Sequence, residues 1–142
     1  GEVDLSEACD PTKVICRSVP QAEVARVVGA GTVGLSLRTP SPSQGAVSPL
    51  KVGEYLLAGL PVIALRGVGG LEQVRERGAV TLLDSLAPEE LERAAAWIVD
   101  HSFEGTHQAS ALAREVGEAL YSLERSGEGY ARAIERVVDA RR

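Results

Sequence analysis

Methionine is absent from this sequence of 142 residues, and aromatic residues are scarce, with one Phe, one Trp and three Tyr. Because the chain also begins at Gly1, we expect it to be a piece of a longer protein. It has no run of eighteen apolar residues, which excludes a bilayer-spanning helix, and we expect no signal peptide. These absences predict a cytoplasmic protein, with peripheral attachment of the full-length protein to a membrane left open.

Cysteine and histidine, the usual protein ligands of zinc, occur only twice each. Cys9 and Cys16 lie near one end of the chain, far in sequence from His101 and His107. We therefore expect no metal site. We interpret the cysteines as buried, reduced thiols, with a disulfide between them as the alternative.

Basic residues are outnumbered by acidic ones, and only two of the basic residues are lysines. The formal net charge is -5 and the pI is near 5.1. Such a charge does not favour binding to nucleic acid, although a local arginine patch could still bind phosphate. With 44% hydrophobic and 25% charged residues, the chain is typical of one globular domain with a core of its own.

Short apolar runs alternate with short amphipathic segments in the first part of the chain. Strands are predicted in KVIC, TVGLSL, PVIAL and AVTLL (13–16, 32–37, 61–65 and 79–83), and helices at 20–28, 49–58 and 71–77. From Pro88 onward apolar residues recur at spacings of three and four, which predicts helices at 88–100, 106–124 and 130–142. Trp97 and Tyr130 are predicted to be packing anchors.

The alternation of strands and helices predicts a parallel sheet covered by helices on both faces. The fold class is therefore α/β, with a Rossmann-like sheet in a single domain. We divide that domain into an irregular lead-in (1–12), an α/β core (13–86) and a helical tail (87–142).

The segment SPLKVGEYLLAGLPV, residues 48–62, carries the clearest helix signals. Ser48 is a favourable N-cap, Pro49 suits the first helical position, and Gly59 and Pro61 end the helix. Glu54 lies at the edge of a wide apolar arc, three residues after Lys51; the arc comprises Leu50, Val52, Gly53, Leu56 and Leu57. The plainest interpretation of Lys51 and Glu54 is a surface ion pair worth a few tenths of a kcal/mol, roughly.

The position of this helix in the fold offers a second interpretation. Ligands of open α/β sheets bind where strands end and helices begin, and helix N-termini favour phosphate. A diphosphate could rest on the N–H groups around Ser48 to Lys51, which follow a predicted strand and a loop rich in Gly, Ser and Pro. Glu54 would lie about 9 Å further along the helix axis, which suits a ribose attached to that diphosphate. Its carboxylate could accept hydrogen bonds from both ribose hydroxyls.

With its continuation, SPLKVGEYLLAGLPVIA resembles the signature segment in the carboxyl-terminal domain of GT-B glycosyltransferases, particularly the retaining family four. That family has a Gly-rich loop, a helix that carries Glu, then A-x-G-x-P-V and a strand. The flanking runs VPQAEVARVVGAGTVGLSL and RGVGGLEQVRERGAVTLL resemble the family's neighbouring segments in the same order. The likeness covers about residues 14–135. It implies a donor-binding domain that holds a nucleotide-diphosphate sugar as substrate and requires no cofactor or metal.

The resemblance assigns binding roles to six residues. Glu54 corresponds to the acid that binds the donor ribose. The diphosphate-binding turn corresponds to Ser48, the backbone around Leu50, and Lys51. Gly69 and Gly70 correspond to a loop near the donor, with a plain tight turn as the alternative.

The sequence departs from the family at Ala46. The family has a pattern of two glutamates separated by seven residues, and Ala46 stands at the position of the first glutamate. In the family this acid lies near the sugar and the leaving phosphate, although members with an SP.K..EYLAAG.PV segment also lack it. No residue is assigned to catalysis. The serines of this region have no histidine nearby in sequence that would suggest a hydrolytic triad; they are Ser36, Ser41, Ser43 and Ser48.

The resemblance also implies parts that the sequence lacks, namely an amino-terminal acceptor domain and the first strands of the donor domain. We therefore expect the chain to bind the donor of an enzyme that transfers a sugar to a hydroxyl acceptor, and to be inactive alone. Exposed sheet edges predict self-association. The alternatives are a non-catalytic α/β interaction module with the helical tail as its partner surface, and a fragment of a GT-B nucleotide-sugar epimerase.

Overall fold

A parallel sheet of three strands organises the first half of the protein in the computed structural model, which describes residues 12–39, 41–43, 45, 47–103 and 106–140. The elements are, in chain order, α1 (Gln21–Val28), β1 (Gly34–Ser36), α2 (Leu50–Leu57), β2 (Val62–Leu65), α3 (Leu71–Arg75), β3 (Val80–Leu83), α4 (Pro88–Phe103), α5 (Thr106–Tyr121) and α6 (Leu123–Asp139). The strand order is β1-β2-β3, and in the parallel register Ile63 of β2 pairs with Leu35 and Thr81. The predicted α/β fold with a parallel sheet is therefore confirmed.

The central strand β2 is buried on both sides, as a strand between two helical layers must be. Val62 and Ala64 face one layer, where they pack with apolar side chains of α2, α3 and α5. Ile63 and Leu65 face the other layer, where α4 contributes Ala94, Trp97 and Ile98. Helices on both faces of the sheet and Trp97 as a packing anchor are thus confirmed.

The first predicted strand does not form. Residues 14–19 have no regular secondary structure, and Ile15 is 86% exposed. An apolar run becomes a strand only where a neighbouring strand pairs with it, and here none does among the described residues. The predicted burial of Cys16 is wrong for the same reason, because this cysteine is a free, exposed thiol. Cys9 lies outside the described residues.

Only the inner part of the predicted apolar arc of α2 is buried. Val52 and Leu56 are fully enclosed and Gly53 is buried. Leu50 is 76% exposed and Leu57 is 38% exposed, so the outer part of the arc stays open to solvent.

Two glycines allow α2 and α5 to pack closely. A Cβ at Gly117 would lie 2.7 Å from the backbone nitrogen of Leu57, and a Cβ at Gly53 would lie 2.8 Å from Cδ1 of Tyr121. Both distances are shorter than real Cβ contacts, so the helices meet where only glycine fits.

The end of α2 is the one that the sequence predicts. Gly59 has a φ of 82°, and its N–H donates to the carbonyl of Leu56. The N–H of Leu60 donates to the carbonyl of Tyr55, which completes a Schellman motif. The helix therefore stops at a fixed point and directs the chain into β2.

The last helix, α6, is exposed along its whole length and contains no buried residue. The predicted break before Tyr130 is absent, since Ser122 caps a helix that continues to Asp139 and accepts the Arg125 N–H at 3.2 Å. Tyr130 is 74% exposed, so its predicted role as a packing anchor is wrong. Among the described residues, no helix is long and apolar enough to cross a membrane.

Candidate functional site

A cleft of about 310 Å³ lies where β1 ends and α2 begins. Its polar side chains are Ser36, Arg38, Ser48 and Lys51, and the remaining wall consists of Leu35, Leu37, Val47, Pro49, Leu50, Tyr55 and Val68. We call it the β1–α2 cleft. It occupies the position at the carboxyl end of a parallel strand where α/β proteins hold ligands. The structure thus brings the three residues of the predicted diphosphate turn, Ser48, Leu50 and Lys51, into one cleft.

Helix α2 begins one residue later than the sequence predicts. Its N-cap is Pro49 and no side chain caps it, so the prediction that Ser48 is the N-cap is wrong. The Pro49 carbonyl accepts from the Val52 N–H at 2.9 Å and from the Gly53 N–H at 3.3 Å. Among the described residues, no backbone carbonyl accepts the N–H of Lys51. The helix start consequently keeps a backbone donor available at the cleft.

Tyr55 forms the wall of the β1–α2 cleft next to the sheet. Its ring lies so close to Gly34, the first residue of β1, that a Cβ there would overlap it. The side chain is half-buried and packs on the core cluster below. Sequence analysis assigned no role to Tyr55.

Arg38 also lines the cleft, and sequence analysis did not single it out. It comes two residues after β1. A basic residue at the carboxyl end of a strand in an α/β pattern is the signal that could have identified it. With Lys51 it gives the cleft two cationic side chains.

Lys51 and Glu54 form an exposed ion pair, with Nζ 2.8 Å from Oε2. The hydrogen bond from Lys51 to Glu54 is the main cause of the raised pKa of the Lys51 ammonium, which stays charged at neutral pH. The side chains are 65% and 42% exposed. The predicted surface pair is therefore present. Breaking it to engage a ligand would cost at most about 1 kcal/mol.

Glu54 does not line the β1–α2 cleft but faces a second one of about 460 Å³. This α1–α2 cleft has three polar side chains in its lining, Gln21, Glu54 and Arg114. The other lining residues are apolar or glycine: Val24, Ala25, Val28, Gly29, Leu57 and Ala58. Since Lys51 bonds to Glu54 and also lines the first cleft, the pair marks the ridge between the two clefts.

Gly69 and Gly70 lie next to the predicted diphosphate turn. They line a shallow groove of about 240 Å³ with Gly45, Val47, Ser48, Pro49 and Tyr121, which we call the glycine groove. A Cβ at Gly69 would overlap the carbonyl oxygen of Gly45, and Gly70 has a φ of 76° as the N-cap of α3. Local geometry alone therefore requires glycine at both positions, which is the alternative that the sequence left open.

An ion network at the same edge of the sheet was not predicted from the sequence. Arg66, directly after β2, bonds to Glu72 of α3 and to Asp84, directly after β3. Glu90 of α4 accepts the Asp84 backbone N–H at 2.9 Å and bonds to Arg93 at 2.7 Å. Hydrogen bonds from Arg93 and from the Asp84 N–H hold the pKa of Glu90 below its usual range. The network ties the strand ends to α3 and α4.

The described residues offer no cluster of three or more His, Cys, Asp or Glu side chains that could hold a metal ion. Ala46, where the resemblance expects an acid, lies outside the described residues. Comparison with protein-family models, with curated proteins and with solved structures finds no match to this chain.

Proposed function

We propose that this chain is the nucleotide-sugar-binding part of a GT-B glycosyltransferase, and that the diphosphate of the donor binds in the β1–α2 cleft. The observation that carries the proposal is the convergence of Lys51, Arg38 and the start of α2 at the carboxyl end of β1. Two cationic side chains and a helix N-terminus favour a dianionic group more than either feature alone.

The ribose of the donor is proposed to lie against Glu54. The carboxylate is exposed and accepts a hydrogen bond from Lys51 on the ridge between the clefts. On ligand binding, Lys51 would turn to the phosphates and Glu54 would accept from the ribose hydroxyls. The exchange replaces one exposed ion pair by two charge-assisted contacts.

In the intact enzyme these groups would stabilise the diphosphate as it leaves the sugar, while a hydroxyl of the acceptor attacks the anomeric carbon. The donor C–O bond to phosphate breaks and the new glycosidic bond forms. The proton of the hydroxyl leaves to a base that the described residues do not identify. The contribution of this chain is thus electrostatic stabilisation and positioning.

Calorimetric titration of the chain with UDP, GDP and ADP tests the proposal. At least one of them is expected to bind, and Lys51→Met is expected to weaken its binding about tenfold, because the variant removes one charged contact to phosphate. Arg132→Met is the matched control, since Arg132 is an exposed cation on α6, away from both clefts. If none of the three nucleotides binds, the proposed function is wrong.

A second function, a protein-interaction module, is favoured by the apolar stripe of α6. Tyr130, Ile134 and Val137 are spaced four and three residues apart and are each more than half exposed. An exposed stripe of this kind is suited to packing against another protein surface. Absence of nucleotide binding together with a protein partner that Ile134→Glu releases would favour this alternative.

A further inference from the structure

Tyr121, the last residue of α5, lies beside the predicted diphosphate turn, although sequence analysis did not single it out. Its ring lies so close to α2 that a Cβ at Gly53 would be 2.8 Å from Cδ1 and 2.9 Å from Cγ. The absence of a side chain at residue 53 therefore lets Tyr121 occupy this position.

The glycine groove is otherwise lined by backbone and small side chains. Among its lining residues, Ser48 and Tyr121 carry a side-chain hydroxyl group. The backbone of Gly69 abuts the backbone of Gly45 and Val47, with a Cβ at Gly69 only 2.8 Å from the Val47 carbonyl oxygen. The groove is thus lined mainly by glycines and small side chains, with one aromatic side chain among them.

The glycine groove continues the β1–α2 cleft, since both are lined by Val47, Ser48 and Pro49. The ridge that carries Glu54 lies elsewhere on α2 and faces α1. A ligand whose diphosphate rests at Ser48 and Lys51 and whose ribose reaches Glu54 would therefore extend its other end towards Tyr121.

We propose that Tyr121 contacts the sugar of the bound nucleotide sugar, with its ring against the sugar's C–H face and its hydroxyl donating a hydrogen bond to a sugar oxygen. This inference rests on the proposed function. Tyrosine suits such a contact because it combines a flat apolar face with a polar end. Burial raises the pKa of Tyr121, so the phenol keeps the proton that it would donate.

Titration of the chain with UDP, GDP and ADP, each alone and as its glucose conjugate, tests this inference. In the wild type the glucose conjugate of the nucleotide that binds is expected to bind about fivefold more tightly than the nucleotide itself. Tyr121→Phe keeps the ring and its packing on Gly53, and is expected to remove most of that gain while leaving the affinity for the nucleotide unchanged.

Tyr130→Phe is the control, because it removes the same hydroxyl from an exposed tyrosine of α6. Gly53→Ala, which displaces the Tyr121 ring, is expected to remove the extra affinity for the glucose conjugate in the same way. Equal binding of nucleotide and conjugate by the wild type, or an unchanged gain in Tyr121→Phe, would overturn the role of Tyr121. If none of the nucleotides or conjugates binds, the proposed function is wrong, and the inference about Tyr121, which rests on it, is wrong as well.

Discussion

The Nζ atom of Lys51 lies 2.8 Å from Oε2 of Glu54, on the first turns of α2 and on the ridge between two clefts. As a surface ion pair it contributes little to folding. As part of a nucleotide site, the pair would place a cation for the phosphates and a hydrogen-bond acceptor for the ribose next to each other.

Replacement of Glu54 separates these two roles. Glu54→Ala is expected to change the free energy of unfolding by less than about 1 kcal/mol, because the pair is exposed. The same variant is expected to weaken binding of the nucleoside diphosphate by about tenfold, since a charged hydrogen-bond acceptor for the ribose is lost. Urea unfolding and calorimetric titration measure the two effects.

Glu23→Ala is the matched control for Glu54→Ala. Glu23 and Arg26 form an equally spaced, exposed pair on α1 with a separation of 2.9 Å. Its loss should leave nucleotide binding unchanged. Unchanged affinity in Glu54→Ala as well would show that Glu54 does not bind the ribose.

Close packing of α2 on α5 depends on glycine at residue 117. Gly117→Ala is expected to lower the free energy of unfolding by about 1–3 kcal/mol, because the new methyl group would meet the backbone of α2. Gly127→Ala in α6, where a Cβ has no atom within 4 Å, is expected to raise the free energy of unfolding of that helix by about 0.5–1 kcal/mol. Urea denaturation followed by circular dichroism compares the two, and equal effects would contradict the packing described.

Acid sensitivity is expected from Glu90. Its folded-state pKa is lowered from 4.5 by Arg93 and by the Asp84 N–H, so its stabilising effect is present above pH 4.5 and is lost as the pH falls through the lower, folded-state value. Glu90→Gln should be less stable than the wild type at neutral pH, and the difference should shrink in acid. Unfolding free energies measured across this range check the prediction, with Glu92→Gln as the control on the exposed face of the same helix.

Self-association is expected from the edge strand β1, on which Leu35 is 54% exposed. An open edge with an apolar side chain can pair with a second strand. Light scattering is expected to give a mass above 14.9 kDa that rises with concentration, and Leu35→Lys is expected to reduce it. A stable monomer at all concentrations would contradict this prediction.

Much of the fold follows from local sequence signals. The end of α2 illustrates this, because Gly59 readily adopts the positive φ that the position after the helix requires. The start of α2 was predicted one residue too early, since Pro49 and not Ser48 is the N-cap. The exposure of Ile15 and Tyr130 could not be predicted, since it depends on which surfaces the rest of the chain covers. Spacing predicts which side of a helix is apolar, whereas tertiary packing decides how much of that side is buried.

The candidate site likewise contains residues that the sequence predicts and residues that it does not. Ser48 and Lys51 were identified because they lie within one short motif next to a strand end. Tyr121 and Arg66 were missed, since each meets its neighbours through contacts between distant parts of the sequence. Single-sequence patterns do not record such contacts.

The most direct test of the central claim is an amide-resolved NMR titration of the chain with UDP, GDP and ADP. If the diphosphate binds at the start of α2, one of these nucleotides should shift the amide signals of Leu50, Lys51 and Val52 most strongly. Signals of α4 and α6 should stay in place. Absence of shifts with all three nucleotides, or shifts confined to elements away from the β1–α2 cleft, would contradict the claim.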